Sequence, residues 1–209
     1  MRYSESHKSE TRARVLKEAA KEIRAKGAEG VAVAGIMKRA GLTHGGFYAH
    51  FGSREELVSE AIATMFSDSG RRFEALISGR DPAEALAGYI DFYLSPEHRD
   101  GRDRGCPLAA LSSEADRLAA TSRTRFGAGV QSLTAKIATL LERNGVTNAS
   151  AAPTLLAVLV GALSLARSPE NEVVVWLPSA VLLAALLHRR GRRGLAMAAL
   201  TFASDVYAN

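Results

Sequence analysis

Apolar residues recur every three or four positions along most of the chain, which is the spacing of one buried face of an α-helix. Near the N-terminus this pattern predicts a helix over residues 10–26, ended by Gly27, and a second helix over residues 33–40, ended by Gly41. The sequence shows no strand-like alternation of any length, so the predicted fold class is all-α. The apolar faces consist of Leu16, Ala19, Ala20 and Ile23 in the first helix and of Val33, Ile36, Met37 and Ala40 in the second.

Residues 41–51 read Gly-Leu-Thr-His-Gly-Gly-Phe-Tyr-Ala-His-Phe and predict a turn of about four residues followed by a short third helix. Thr43 stands where a helix cap is expected. Phe47 and Phe51 are four positions apart and therefore share one buried face. Two short helices joined in this way form a helix-turn-helix, a motif that places its second helix in the major groove of DNA.

The remaining side chains of the short helix favour a polyanionic partner over a protein core. His44, Tyr48 and His50 carry hydrogen-bonding groups on the face opposite the two phenylalanines. Gly45 and Gly46 each cost about 1 kcal/mol relative to alanine inside a helix. Such a cost is understandable where another backbone must come close, and the phosphate backbone of DNA is such a partner.

From Ser53 onward the chain reads as a succession of helices that would form a C-terminal helical domain. Ser53 and Glu56 have the spacing of a capping box, which predicts a helix starting at Arg54. Pro107 suits the first position of a later helix. The predicted segments are 54–77 with a bend or break near Gly70, 83–94, a polar loop over 95–105, a helix from Pro107, 130–141 and 155–166.

The sequence resembles the TetR family of transcriptional repressors over residues 10–62. The resemblance rests on Gly41-Leu42-Thr43, Phe47-Tyr48, His50-Phe51 and Ser53-Arg54-Glu55-Glu56-Leu57, an ordered combination far more specific than a bare helix-turn-helix. It implies a three-helix DNA-binding domain over residues 1–55 and a helical ligand-binding and dimerisation domain over residues 56–209. A weaker likeness to one branch of the family covers Gly105 to Leu111.

The resemblance also implies a function and a set of DNA-binding residues. The function is that of a ligand-responsive repressor that binds palindromic operator DNA as a homodimer. Where the family often has a threonine or serine that caps its second helix and a charged residue after it, this chain has Ala32, Ala34 and Gly35. We therefore expect more of the contact to come from the N-terminal arm, with Arg2, Lys8, Arg12 and Arg14. The implied DNA-binding residues are Thr43, His44, Gly45, Gly46, Tyr48, His50, Arg54, Lys8 and Arg12.

Charge supports a DNA-binding N-terminus independently of the resemblance. The chain has 27 basic and 22 acidic residues, and residues 1–55 hold 11 of the basic and 6 of the acidic ones. The rest of the chain is balanced, so the whole positive excess lies in the segment with the helix-turn-helix. A basic excess confined to one segment is the electrostatic footprint of nucleic-acid binding. A solvated helix surface without a partner is the alternative interpretation.

The effector site is expected in the C-terminal domain, where the resemblance implies a small-molecule pocket. Aromatic residues at helical spacing could line it, although such residues also form ordinary cores. Cys106 lies after Arg102 and Arg104 and before Pro107, and some similar family members respond to oxidants through a cysteine, so Cys106 is either a redox sensor or a packed residue. The candidate pocket residues are Phe66, Phe73, Tyr89, Phe92, Tyr93 and Phe126.

The apolar segments 153–167 and 173–187 are predicted to form the dimer interface, because surfaces so poor in polar groups are seldom left exposed to water. The second segment leaves a membrane anchor as an alternative, but about fifteen residues interrupted by Pro178 fall short of the ~20 that span a bilayer. No membrane partner is therefore expected. One cysteine and the lack of a signal-peptide pattern favour the cytoplasm.

No spacing of nucleophile, base or metal ligands in the sequence points to an enzyme, a cofactor or a metal site. Catalysis in the C-terminal cavity remains the alternative function from another class.

Overall fold

The computed structural model describes residues 5–168. Over this range the chain forms α-helices and short 3₁₀ segments with no strand, which confirms the predicted all-α class. The α-helices are α1 (Glu5–Lys26), α2 (Val33–Arg39), α3 (Arg54–Ile77), α4 (Pro82–Leu94), α5 (Pro96–Asp100), α6 (Pro107–Leu111), α7 (Ala120–Arg143) and α8 (Ala151–Ala166). The 3₁₀ segments are His44–Ala49, which we call the recognition segment, and Arg102–Arg104.

The head, which we define as residues 5–53, consists of α1, α2 and the recognition segment. α1 begins at Glu5, five residues earlier than predicted, because residues 5–9 are polar and carry no apolar stripe that the pattern could reveal. The predicted ends of the two helices are confirmed. Gly27 and Gly41 have φ angles of 79° and 73°, a left-handed conformation that ends a helix and that glycine adopts without steric cost.

α3 joins the head to the body, which we define as residues 54–168. Its predicted start at Arg54 is confirmed, and the Ser53 hydroxyl accepts a hydrogen bond of 3.0 Å from the Glu56 amide. The Glu56 carboxylate in turn accepts from the Gly52 amide at 2.8 Å and not from Ser53, which differs from an ideal capping box. The domain boundary predicted at residue 55 falls in the first turn of α3.

The predicted break near Gly70 is wrong, since α3 continues without interruption to Ile77, while the alternative of a bend stays a prediction. A Cβ atom at Gly70 would lie 3.5 Å from the Lys136 side chain of α7. This is an ordinary van der Waals distance, so the packing does not require glycine here, and Gly70 does not terminate its helix. Phe66 and Phe73, one turn before and after it, are both buried and hold this part of α3 in the core.

The body differs from the prediction mainly in the lengths of its helices. α7 begins at Ala120 and not near Val130, because its first turns are polar and contribute few apolar positions. The expected loop over residues 95–105 contains α5 and a 3₁₀ turn, and α6 has only five residues. α3 packs on α1 from Glu56 to Asp68 and on α7 from Glu55 to Glu74, so one continuous core runs from the head into the body.

Candidate nucleic-acid interface

The recognition segment is held in place by two phenylalanine rings. Phe47 and Phe51 are 2% and 1% exposed, and their rings stack with centroids 5.6 Å apart, which confirms the predicted inner face. The segment is a 3₁₀ helix and not the expected α-helix. Thr43 occupies the N-cap position, but its side chain makes no capping hydrogen bond, so the predicted side-chain cap is wrong; the Gly46 amide donates to the Thr43 carbonyl at 3.1 Å instead.

The outer side of the recognition segment is open to solvent. Tyr48 is 73% exposed although its ring meets Phe47 edge to face, with centroids 5.2 Å apart. Thr43, His44 and Gly45 are also exposed. A Cβ atom added at Gly45 would meet nothing within 4 Å, so the protein itself does not require glycine there. The absence of a side chain at this position is consistent with the close approach of a partner from outside.

His50 lies where the recognition segment meets the first half of α1. It is half-buried, and its Nδ1 atom is buried without a hydrogen-bond partner among the described residues. Burial lowers the pKa of His50 from its usual value, and the positive charges of Lys8, Arg12 and His7 lower it further. An anion bound beside His50 would offset the positive charges of Lys8, Arg12 and His7.

Arg12 and Arg54 come from the predicted DNA-binding set, but their guanidinium groups are engaged within the protein. Arg12 lies on α1 and forms ion pairs with Glu56 at 2.9 Å and Glu60 at 2.7 Å, and its guanidinium carbon lies 4.4 Å from the centroid of the Phe51 ring. Arg54 donates to the carbonyl oxygens of Ala28 at 2.8 Å, Glu29 at 3.0 Å and Val31 at 3.3 Å. Both arginines hold α3 against α1 and the turn that follows it.

The basic residues of the head fall into two groups that the sequence does not separate. Arg39 pairs with Glu22 and with Glu18, and Arg24 is buried against Asp68, so these charges are compensated. Lys38 of α2 is not among the DNA-binding residues predicted from the sequence. Its position next to the turn of the helix-turn-helix would have made it a candidate. Within residues 5–168 the exposed basic residues of the head without an ion pair are Lys8, Arg14, Lys17 and Lys38; Arg2 lies outside the described residues.

The structure places the six aromatic residues predicted to line an effector pocket at two separate sites. Phe73, Tyr89, Phe92 and Tyr93 line an internal cavity of about 30 Å³, which holds little more than one water molecule. Phe66 and Phe126 meet edge to face elsewhere, with centroids 5.6 Å apart, and Phe66 lines a separate open groove.

Cys106 borders the internal cavity and is 5% exposed. Its amide donates to Nε2 of His98 at 3.1 Å, while Nδ1 of His98 lies 2.7 Å from the Tyr93 carbonyl, so the neutral imidazole bridges α4 and the start of α6. Burial lowers the pKa of His98, which favours this neutral form. The cations that interact with the thiol are the buried Arg24 and the half-buried Arg167, whereas the sequence pointed to Arg102 and Arg104. A sensory role for Cys106 stays a prediction.

Within residues 5–168, none of the helices has both the length and the apolar character needed to span a bilayer. No group of three or more histidine, cysteine or acidic residues in this range is placed to hold a metal ion. The apolar segment 173–187, on which the membrane alternative rests, lies outside the described residues.

Known proteins resemble the chain in both sequence and fold. The family profile described as bacterial regulatory proteins, tetR family, matches residues 15–61. An HTH-type transcriptional regulator of Mycobacterium tuberculosis, strain H37Rv, is 34% identical over 110 residues, which cover 50% of this chain and 53% of that protein. The chain thus spans about half the length of the curated relatives it matches.

Among solved structures, a TetR transcriptional regulator from Chloroflexus aurantiacus superimposes with a TM-score of 0.73 at 27% identity, covering 85% of this chain and 94% of the other. The reduced form of Escherichia coli NemR shares the fold, with a TM-score of 0.72 at 20% identity over 86% of this chain and 97% of its own. The matching profile coincides with the helix-turn-helix described above, and the likeness to the Chloroflexus regulator extends through the body. Residues 15–61 thus match the tetR family of bacterial regulatory proteins, and the chain shares the fold of a TetR transcriptional regulator.

Proposed function

We propose that the protein is a ligand-responsive transcriptional repressor that binds near-palindromic operator DNA as a homodimer. The observation that carries this proposal is the recognition segment, in which Tyr48 and His44 face solvent while Phe47 and Phe51 anchor the backbone. A surface that is polar, exposed and rigidly supported is suited to hydrogen bonding with a partner. Two such surfaces on a symmetric dimer would enter successive major grooves, which accounts for a near-palindromic site.

The proposed contacts divide into those that read sequence and those that hold the backbone. Thr43 and His44 would face base edges, and Gly45 and Gly46 would let the duplex approach. Lys8, Tyr48 and His50 would hold phosphates, because phosphate contacts position the protein and base contacts specify the site. Arg12 and Arg54 act as positioning residues in this scheme, since they fix the angle between α1 and α3.

Binding of variants to DNA from the chain's own promoter region and to a scrambled duplex tests this division. Tyr48→Phe and His50→Ala should weaken binding to both duplexes by a similar factor, whereas Thr43→Ala and His44→Ala should change the ratio between them. Arg143→Gln, an exposed charge change near the end of α7, is the control and should alter neither affinity. Unchanged binding of all four head variants would contradict the proposed interface.

The proposed dimer uses α8, which corresponds to the predicted segment 153–167; the segment 173–187 lies outside the described residues. α8 is almost wholly apolar, and its outer side carries small or apolar residues with Leu165 51% exposed. Leu159 is only 1% exposed and belongs to the core of the protomer, so it is unsuitable as an interface probe. Leu165→Glu should yield folded monomers in light scattering, while Thr139→Glu on the exposed side of α7 should not. A dimer that persists in Leu165→Glu would exclude this face.

The proposed effector response couples the internal cavity to the head through α6. Cys106 at the start of α6 borders the cavity, and Glu114, three residues beyond its end, accepts a hydrogen bond of 3.0 Å from the Ala28 amide where α1 ends. Gly27 packs so closely on Glu114 that a Cβ atom there would lie 2.1 Å from its carboxylate. An effector larger than the cavity of about 30 Å³ would favour a state in which the cavity lining, including the start of α6, has moved.

Glu114→Ala removes this connection without touching the cavity. A compound that releases the native protein from its operator should bind this variant with unchanged affinity and release it less effectively. Calorimetric titration and operator binding in parallel separate the two effects. Equal release from both proteins would show that the Glu114 contact carries no coupling.

A further inference from the structure

An open groove of about 430 Å³ runs between α3 and α7 and shares no lining residue with the internal cavity. α3 contributes Phe66, Gly70 and Glu74 to the groove and Phe73 and Leu76 to the cavity, so the two spaces lie against different faces of the same helix. A volume of this size lies within the usual range for small-molecule sites.

The groove has an apolar floor made possible by small residues. A Cβ atom at Gly129 would lie 2.2 Å from the Phe66 ring, so only glycine allows α7 to pack onto that ring. Ala63 and Ala128 add no bulk above it. The Phe66 ring is held from the other side by Phe126 in an edge-to-face contact. The floor is therefore rigid and apolar, while the space above it stays open.

Three cationic side chains lie on the rim of the groove, and two of them form ion pairs within the protein. Arg71 pairs with Asp68 and Lys136 pairs with Glu74. Arg125 also lines the groove; it is exposed and has no ion pair or hydrogen bond within residues 5–168. One uncompensated positive charge beside an apolar floor suits a ligand with one negative charge and an apolar body.

We propose that this groove binds a small monocarboxylate with an aromatic or short aliphatic body. The Arg125 guanidinium would pair with the carboxylate through two parallel hydrogen bonds. The body of the ligand would lie against Ala63, Ala128 and the exposed edge of the Phe66 ring. The proposal goes beyond the repressor function and does not depend on it, since the site is complete without DNA.

Calorimetric titration of the full chain with 2-naphthoate tests the proposal. The cation 2-naphthylmethylamine has the same ring system and the opposite charge, and acetate has the charge without the ring. We expect 2-naphthoate to bind with a Kd at or below about 1 mM and each of the other two at least about tenfold more weakly. The measurement is made without DNA, so failure of operator binding would not affect it.

Two variants locate the site. Arg125→Gln removes the uncompensated charge and should weaken 2-naphthoate binding by about tenfold or more. Ala128→Leu should fill the space above Phe66 and weaken binding similarly, while Arg143→Gln on the same helix should bind as the native protein does. Thermal unfolding of each variant checks that it is folded. Either no binding of 2-naphthoate up to about 10 mM or equal binding by the native protein and Arg125→Gln would overturn the proposal.

Discussion

The recognition segment and the internal cavity are both built from aromatic residues at helical spacing, yet they use them in opposite ways. Phe47 in the recognition segment and Phe51 just after it are buried, while the third ring, Tyr48, is left 73% exposed. In the cavity Phe73, Tyr89 and Tyr93 are all less than 5% exposed and enclose space for about one water molecule. A large ring left in water on a supported surface is available for the proposed contact with DNA, whereas buried rings do not distinguish a ligand pocket from a core.

The largest effect expected from this comparison is on stability. Phe51→Ala should lower the free energy of unfolding by about 3–5 kcal/mol, because it removes a fully buried ring on which Phe47 stacks and over which Arg12 lies. Tyr48→Ala should change it by no more than about 0.5 kcal/mol, since the ring is mostly in solvent. Urea denaturation measures both. A Tyr48→Ala variant as unstable as Phe51→Ala would make Tyr48 a core residue.

Substitutions of two glycines in the helix-turn-helix should have smaller effects than Phe51→Ala on the free energy of unfolding. Gly41→Ala should cost about 1–2 kcal/mol in unfolding free energy, because the φ angle of 73° is unfavourable for alanine. Gly45→Ala should cost nothing, since its Cβ atom meets open space, but it should weaken operator binding about tenfold by blocking the approach of the duplex. Thermal unfolding and fluorescence anisotropy with labelled operator separate the two outcomes. Full operator affinity in Gly45→Ala would mean that no backbone comes close at this position.

The difference between the two regions also explains which structural features could be predicted from the sequence. The head could be predicted because a tight turn needs glycine at Gly41 and a short helix needs its anchors at i and i+4, as Phe47 and Phe51 show. The partners of the charged side chains in the head could not be predicted, because Arg12 and Arg54 bind to groups on segments distant in sequence. In the body the early start of α7 was hidden by polar first turns, and aromatic spacing alone did not assign Phe66 to the groove and Phe73 to the cavity.

His50 gives a pH-dependent difference between the free and the DNA-bound head. Burial lowers its pKa below the usual value of 6.5, so the folded state binds fewer protons than the unfolded state. The stability that depends on neutral His50 is therefore present above about pH 6.5 and is lost as the pH falls through the lowered pKa of the folded protein. His50→Gln should remove this part of the pH dependence in urea denaturation. The same pH profile in native and variant proteins would assign it to other groups.

The pKa of His50 should shift in the opposite direction on DNA, because a phosphate beside the imidazole would raise it. Operator affinity should then increase as the pH falls through the same range, and His50→Gln should reduce that increase. Anisotropy titrations at fixed salt concentration measure it. An affinity that does not depend on pH in the native protein would place His50 away from the phosphates.

Cys106 should contribute less to stability than the buried ring of Phe51 does. Cys106→Ser is expected to alter the unfolding free energy by about 1 kcal/mol, because a small buried side chain is replaced by one of similar size with a hydroxyl. An uncharged maleimide should label the native thiol much more slowly than the unfolded one. If Cys106 is a sensor, an electrophile should relieve operator binding in the native protein and not in Cys106→Ser. Equal relief in both proteins would leave it a packing residue.

The central claim is that the exposed side of the recognition segment reads a specific DNA sequence. Fluorescence anisotropy with duplexes from the chain's own promoter region and a scrambled duplex, at matched salt concentration, tests it most directly. We predict one region that binds at least about 10³-fold more tightly than the scrambled duplex, with two protomers per near-palindromic site and an affinity that falls steeply with salt. Equal affinity for every duplex at each salt concentration would contradict the claim.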